Sequence, residues 1–436
     1  VVVIDWTRIE NALARLACAA PAARLLSVSL PLPRAPALTL HGDWCVWQRP
    51  EQGLRLTGIG KAFCVHSAGE GRFAALAAAQ RGLVHGWRHV GGMPRAFAGF
   101  AFAPHGGDPL PNAALWAPEM LIAEQPDQTM LTFSCAAGQA ARAPARWRML
   151  WQEATQRAAV PPAPSFQALP NALSDQAFLA RGRAALAAIA AGRADKLVLT
   201  RSVRLQADRP AAIAPLIEEL ARHHPACAIF GVGAPGFAFV GASPETLVKV
   251  DGAQVAVDAL AGTAWGDLKL QSEKNRREHD FVAQAVVAAL AGACSDVTLP
   301  DAPEALQLEA LAHLRRRVTA RRAADIGVFD LIARLHPTPA VGGFPTPAAL
   351  DWLARHQDTR GAWYTGAIGW LDARGDADFA VCLRCGLLEA QRVALYAGAG
   401  FVAGADPEQE LAETEAKLAA MRAALAAAAR RAEQAA

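Results

Sequence analysis

No stretch of this 436-residue sequence supplies the run of about 18 uninterrupted apolar residues that a membrane-crossing helix needs. No membrane partner is therefore expected. The opening residues, VVVIDWTRIE, carry acids early and lack the basic, then apolar, then small pattern of a secretory leader. Charge of one sign is also missing. The 43 Lys and Arg against 40 Asp and Glu leave a net charge of +3, too little to argue for nucleic acid as a partner. The one basic cluster, Arg315–Arg317 with Arg321 and Arg322, reads as a solvated helix face. The eight cysteines (Cys18, Cys45, Cys64, Cys135, Cys227, Cys294, Cys382 and Cys385) follow no framework spacing. In a chain of this size that predicts reduced thiols and a cytoplasmic protein. Cys382 and Cys385 do form a C-x-x-C, but in a β-patterned run with no second pair and no nearby histidine. They read as packed strand residues rather than a redox or zinc motif.

What is present is apolar surface and helix-forming alanine. Hydrophobic residues make up 53% of the chain, enough for a substantial core. Residues 1 to about 155 alternate short β-like runs with one Ala-rich helix candidate at 72–82. RAAVPPAPSFQALP (157–170) is the clearest Pro-rich break. Beyond it the pattern predicts a helix at about 175–191, the strand KLVLTRSVRLQA, a helix at 212–223, and antiparallel strands through FAFVGASPETLVKVDGAQVAVDAL. A long helix follows from Ser272 to about 292. Then come a helix, three more strands and a C-terminal helix. Strands in succession without regular βαβ alternation predict an α+β fold, one large domain with mostly antiparallel sheets flanked by helices.

Several charges sit where a core pattern does not need them. In the last helix, started by Asp406 and Pro407, the residues Glu410, Glu413 and Lys417 share one arc at the edge of an apolar stripe of Leu411, Leu418, Met421 and Leu425. Glu415 points away. Glu278 falls on the helix face of Val282, Ala285 and Ala289, Lys196 opens an apolar strand, Glu245 follows Gly-Ala-Ser-Pro, and Arg384 lies inside CLRCGLL. Each alone is equally well a structural ion pair. As a set, Glu278 and Glu413 would make an oxygen-rich site suited to Mg²⁺ completed by a substrate anion. Lys417, Arg384 and a glycine turn at 398–400 would supply positive charge and N–H groups. Lys196 and Glu245 would then be an acid/base pair.

Taken together, the segments DKLVLTR, GASPETL, LAGTAWG, SEKNRREHDFV, ALAHLRRRV, HPTPAVGGFP, TRGAWYTGAIGW, VCLRCG and YAGAGFVAGADPEQELAETEAKL resemble the chorismate-utilising enzymes, most closely the isochorismate synthases. They spread over about residues 175–425. The resemblance implies a single chorismate-binding domain over residues 1–436, with a motif region at 170–430 and a more generic part, 1–160, adding strands to it. The Pro-rich break is then a connection. It implies that Lys196 activates the water attacking C2 of chorismate while Glu245 protonates the departing C4 hydroxyl. Glu278 and Glu413 would hold Mg²⁺ on the ring carboxylate, Glu410 would back the hydrated ion, and Lys417 would lie nearby. Tyr364, Arg384, Gly398 and Gly400 would hold the enolpyruvyl carboxylate. Gly262 and Thr263 would line the ring, and His313 would lie beside it unless it is a plain core or surface histidine. Asn275 stands where some relatives carry an acid. A monomer is expected, with a downstream enzyme that consumes isochorismate toward menaquinone or a siderophore. The nearest rival is a salicylate synthase, which eliminates pyruvate from isochorismate. An ammonia-using synthase fits Lys196 less well, and a non-catalytic chorismate-binding protein would not be expected to keep both Lys196 and Glu245.

Overall fold

The computed structural model describes residues 3–20, 22–156, 164–170, 172–264, 270–308, 311–356 and 360–435. Part of the Pro-rich segment and residues 265–269 of LAGTAWG lie outside them. Among the described residues, thirteen strands form one sheet. Its order is Phe166–Ala168, Lys196–Ala207, Arg392–Val402, Cys385–Glu389, Phe237–Ser243, Ala228–Ala234, Trp44–Arg49, Leu54–Ile59, Met120–Gln125, Gln128–Ala136, Leu25–Leu32 and Trp87–Val90. The short strand Gly343–Phe344 adds to Lys196–Ala207. A ten-stranded sheet runs Cys294–Thr298, Ala312–Arg322, Gln254–Ala264, Thr246–Asp251, Ala377–Val381, Ala367–Asp372, Arg95–Phe100, Ala113–Ala117 and Phe63–Ser67, with Glu304–Gln307 on Ala312–Arg322. Pairing is antiparallel except between Leu25–Leu32 and Trp87–Val90. The expected α+β class with mainly antiparallel sheets is what the chain adopts.

Both sheets mix strands from before and after the Pro-rich break. Trp44–Arg49 pairs with Ala228–Ala234, and Arg95–Phe100 pairs with Ala367–Asp372. Neither half could keep its sheets without the other.

The two-residue period of the strands sorts side chains into layers. Ala96, Ala98 and Phe100 pack with Leu76, Leu83, Phe329 and Ile332 from helices Arg72–Gly86 and Val328–Leu335. Their neighbour Phe97 points the other way, into a core shared with Trp47, Leu56, Phe230 and Phe239 of the larger sheet. That sheet's outer face buries Val46, Val203 and Val240 against Leu220, Leu418, Met421 and Leu425 of helices Ile213–His223 and Pro407–Ala435. Each such fully buried side chain is worth about 1.5–3 kcal/mol. Arg49 adds a polar bolt between the sheets, donating from Nε and Nη2 to the two carboxylate oxygens of Asp378 at 2.9 and 2.6 Å. The pair is nearly dry, so removing one partner would strand the other's charge.

Several expectations are corrected. The strands through FAFVGASPETLVKVDGAQVAVDAL are antiparallel as expected, but they are divided between the sheets: the chain leaves the larger one at Ser243 and enters the smaller one at Thr246. The basic cluster lies not on a helix but on the strand Ala312–Arg322, where Arg315, Arg316 and Arg317 pair with Glu304, Asp280 and Asp258. Residues 398–400 are not a turn. They continue the strand Arg392–Val402 and pair with Val198–Thr200. Helices at Trp6–Ala19 and Ala143–Thr155 join the expected one at Arg72–Gly86.

Candidate active site

Two of the places where the chain crosses between the sheets each carry a charged residue. Glu245 sits between Ser243 and Thr246, and Arg384 between Val381 and Cys385. The crossings are laced together, since Val381 N donates to Glu245 O and Ala242 N to Arg384 O, both at 3.1 Å. Arg384 holds its backbone at φ +45°, an uncommon value outside glycine. Cys382 and Cys385 flank it as free, buried thiols; Cys385 opens a strand while Cys382 lies in the crossing itself.

A cavity opens between these crossings and the ends of the Lys196 and Gly398–Gly400 strands. Of the thirteen expected site residues, Glu245, Gly262, Thr263, Glu278, His313, Tyr364, Arg384, Gly398, Gly400, Glu413 and Lys417 line it. Lys196 and Glu410 do not. Both stand one layer back, fully or almost fully buried. Pro244, Val198, Ala340, Val341 and Leu383 complete much of the apolar wall.

Lys196 opens its strand opposite Val402, two residues from the Val198–Gly400 pair, so its side chain and Gly400 share one face. Its Nζ lies 3.0 Å from Glu278 Oε1. Glu278 comes from the helix Glu273–Ala291, which Ser272 caps by accepting from Asn275 N at 3.2 Å. Burial pushes the Glu278 carboxyl up, but Lys196, Lys274 and Lys417 more than offset this and hold it below the usual range. A Cβ on Gly400 would fall 2.3 Å from Glu278 Oε1. That oxygen ends a flexible side chain, so Gly400→Ala is expected to move the carboxylate rather than the fold. Turnover should drop at least ~10-fold, as for a misplaced active-site group, with the melting temperature nearly unchanged; a thermal scan beside an assay checks both.

Glu245 is 2% exposed, and its Oε1 has no hydrogen-bond partner among the described residues. Burial, with the charge of Asp258 adding to it, raises its carboxyl to about 8; Lys196, Thr338 and Lys417 pull the other way. Glu245 is therefore mainly protonated at neutral pH, as a proton donor must be.

The opposite wall is cationic. His313 Nε2 accepts from Arg384 Nη2, which leaves Nδ1 to donate to Thr263 Oγ1 at 3.2 Å. Burial, then Arg384 and Lys417, hold the His313 ring well below its ordinary value, so it stays neutral and orients the guanidinium. Arg384 Nη1 is buried without a partner among the described residues. A desolvated donor on a cation is costly unless an anion meets it. Tyr364 stacks on Tyr396 beside it at 5.3 Å. Gly262 takes φ +75° at a register shift in its strand, where a Cβ would press on Asn275 at 3.0 Å. Asn275 in turn donates to the carbonyls of Thr263 and Leu270 at 3.2 and 3.0 Å, using its amide to fix the strand end.

The last helix starts as expected, with Asp406 Oδ1 accepting from Glu408 N at 3.1 Å. Glu413 Oε1 is 2.6 Å from Lys417 Nζ, which also donates to Gly398 O at 2.9 Å. Glu410 pairs with Lys274. Burial and the nearby Glu413 raise the Glu410 carboxyl to about 8, with Lys274 opposing. Glu415 does point away, toward Arg201 and Arg422.

Glu278, Glu410 and Glu413 are all oxygen donors, and Glu410 Oε2 is buried without a partner among the described residues. That donor set fits a hard cation such as Mg²⁺. As they stand, each carboxylate leans on its own lysine, and no three His, Cys, Asp or Glu side chains among the described residues converge on one point. Sequence reasoning passes over Asp258 and Lys274. The only signal for Lys274 is its i, i+4 spacing to Glu278, and for Asp258 an inward position on an apolar strand.

The cavity built where the two sheets exchange strands, with the layer just behind it, brings a buried carboxyl, three further carboxylates and several cations together, and is the candidate site. A family model described as chorismate binding enzyme matches residues 16–426, and the chain belongs to that family. It is 36% identical over 235 residues to the isochorismate synthase MenF of Bacillus subtilis, a match covering 51% of this chain and 50% of that protein. It is 39% identical over 256 residues to the salicylate biosynthesis isochorismate synthase of Pseudomonas aeruginosa, covering 56% and 53%. The match thus spans about half the length of these curated relatives. Among solved structures, the menaquinone-specific isochorismate synthase MenF of Escherichia coli has the same fold at a TM-score of 0.77 and 23% identity, covering 96% of this chain and 99% of that one.

Proposed function

We propose that this chain is a magnesium-dependent isochorismate synthase. One observation carries the reading furthest. A buried carboxylic acid, Glu245, held up to about 8, shares a cavity with a buried arginine whose Nη1 lacks an anion. Proton donation at one point and carboxylate capture at another is what isomerising a dicarboxylate by hydroxyl exchange requires.

In this reading Lys196 takes a proton from the water that adds to C2 of chorismate, and Glu245 gives one to the C4 hydroxyl as it leaves. One water enters and one departs, so atoms balance. Arg384, oriented by His313, meets the enolpyruvyl carboxylate with Tyr364 and the bare strand at Gly398 and Gly400. Those glycines let the substrate approach the backbone. Gly262 and Thr263 line the ring, and Lys417 faces the ring carboxylate. Glu278 and Glu413 would hold Mg²⁺ with Glu410 behind them, and the ion would supply positive charge for that carboxylate. The cytoplasm, a single-domain monomer and a downstream isochorismate-consuming step, toward menaquinone or a siderophore, belong to the same proposal.

Purified protein incubated with chorismate and Mg²⁺ is expected to yield isochorismate, and EDTA to abolish it. Salicylate with pyruvate would select the salicylate synthase reading. No product without ammonia would remove both. Arg384→Gln should raise KM at least ~10-fold, the loss of a charge-assisted bond to a carboxylate, and steady-state kinetics on chorismate checks it.

A further inference from the structure

Lys274 has no part in the chemistry above, yet its ammonium sits against the carboxylate cluster. It precedes Glu278 by one helical turn and reaches across to Glu410 on the last helix. The charges of Glu278 and Glu413 act on it as well. The cluster is matched one to one: Glu278 has Lys196, Glu413 has Lys417, and Glu410 has Lys274. The three lysines differ in freedom. Lys196 is sealed in, and Lys417 is tied to Gly398 O. The Lys274 side chain is 30% exposed, so it alone of the three can swing its head into water at little cost. Glu410 meanwhile is 1% exposed and keeps Oε2 without a partner among the described residues, which one ammonium on Oε1 does not satisfy.

We propose that Lys274 is a built-in competitor for the divalent cation, seated on Glu410 in the empty site and displaced when the ion binds. This rests on the magnesium reading above and deepens it. A dication held by Glu278 and Glu413 would lie beside the ammonium seated on Glu410, and two cations that close in a largely buried cluster repel strongly. Lys274 thereby completes, with Lys196 and Lys417, the set of cations over the three carboxylates without the ion, and it holds the ion's affinity down, so that ion and product can leave. With a dication and a dicarboxylate bound, the added charge sums to zero.

The test uses the full chain without substrate and Mn²⁺ as probe, with free Mn²⁺ read by electron paramagnetic resonance. Lys274→Met and Lys274→Gln are expected to bind Mn²⁺ at least ~10-fold more tightly than the wild type, while Lys274→Arg, which keeps the competing charge, stays near it. Mg²⁺ should also raise the melting temperature of Lys274→Met by more than it raises that of the wild type. Equal or weaker Mn²⁺ binding by both neutral variants would overturn the competitor role and leave the magnesium reading standing. Binding by none of the proteins would overturn both.

Discussion

Replacing Lys196 by alanine is expected to lower turnover by about 10²–10⁴-fold, the range that a positioned base contributes. The lysine is fully buried and pairs with Glu278, so alanine removes both the base, which acts as the free amine, and the counter-charge that its ammonium form gives Glu278. Lys196→Arg separates them. Arginine keeps a positive charge beside Glu278 but does not give up a proton, so it should keep the fold and still lose turnover. An active Lys196→Arg would show that the position serves only to hold Glu278. Single-turnover measurements with both variants, alongside their melting curves, decide this.

The second large effect is at Glu245. Glu245→Gln keeps size and hydrogen-bonding capacity but has no acidic proton, and is expected to lose turnover by about 10²–10⁴-fold. The pH profile gives an independent check. Glu245 is raised to about 8 by burial and by Asp258, so it is protonated below that pH and ionised above it. The proposed reaction needs the protonated form. In the wild type, kcat/KM should therefore fall as pH rises through about 8, and this alkaline limb should vanish from the residual activity of Glu245→Gln. A limb that survives in the variant would assign the titration to another group.

The parts of this site that were legible in the sequence are local ones. The Asp406 cap, the i, i+3 and i, i+4 spacing of Glu410, Glu413 and Lys417, and the apolar stripe of Leu418, Met421 and Leu425 all lie within one helix, and that helix forms as read. The same holds for Ser272 and the helix that carries Glu278. What was hidden depends on tertiary pairing. Arg315–Arg317 look helical because alanines and leucines precede them and only Val318 and Thr319 are β-branched, yet the strand is imposed by the long ladder with Gln254–Ala264. The Ser-Pro before Glu245 signals a turn, but a turn does not say which sheet the next strand joins. The glycines at 398 and 400 read equally as a turn or as a strand stripped of side chains, and only the facing Val198–Thr200 segment decides. The helix Trp6–Ala19 carried its own signals, an Asp5 cap and Ile9 and Leu13 on one face, but it lies among β-like runs and carries no motif residue. The lysine matched to each carboxylate is beyond sequence reasoning for Lys196 and Lys274, since their partners lie 82 and 136 positions away.

In the proposed reaction water enters at C2 while Glu245 expels the C4 hydroxyl. Running the reaction in ¹⁸O-labelled water and analysing the isochorismate by mass spectrometry tests it most directly. One ¹⁸O atom is expected in the product, at the C2 hydroxyl, and none at the other positions. Isochorismate formed without ¹⁸O would mean that the hydroxyl is carried across within the molecule, and would contradict the roles given to Lys196 and Glu245.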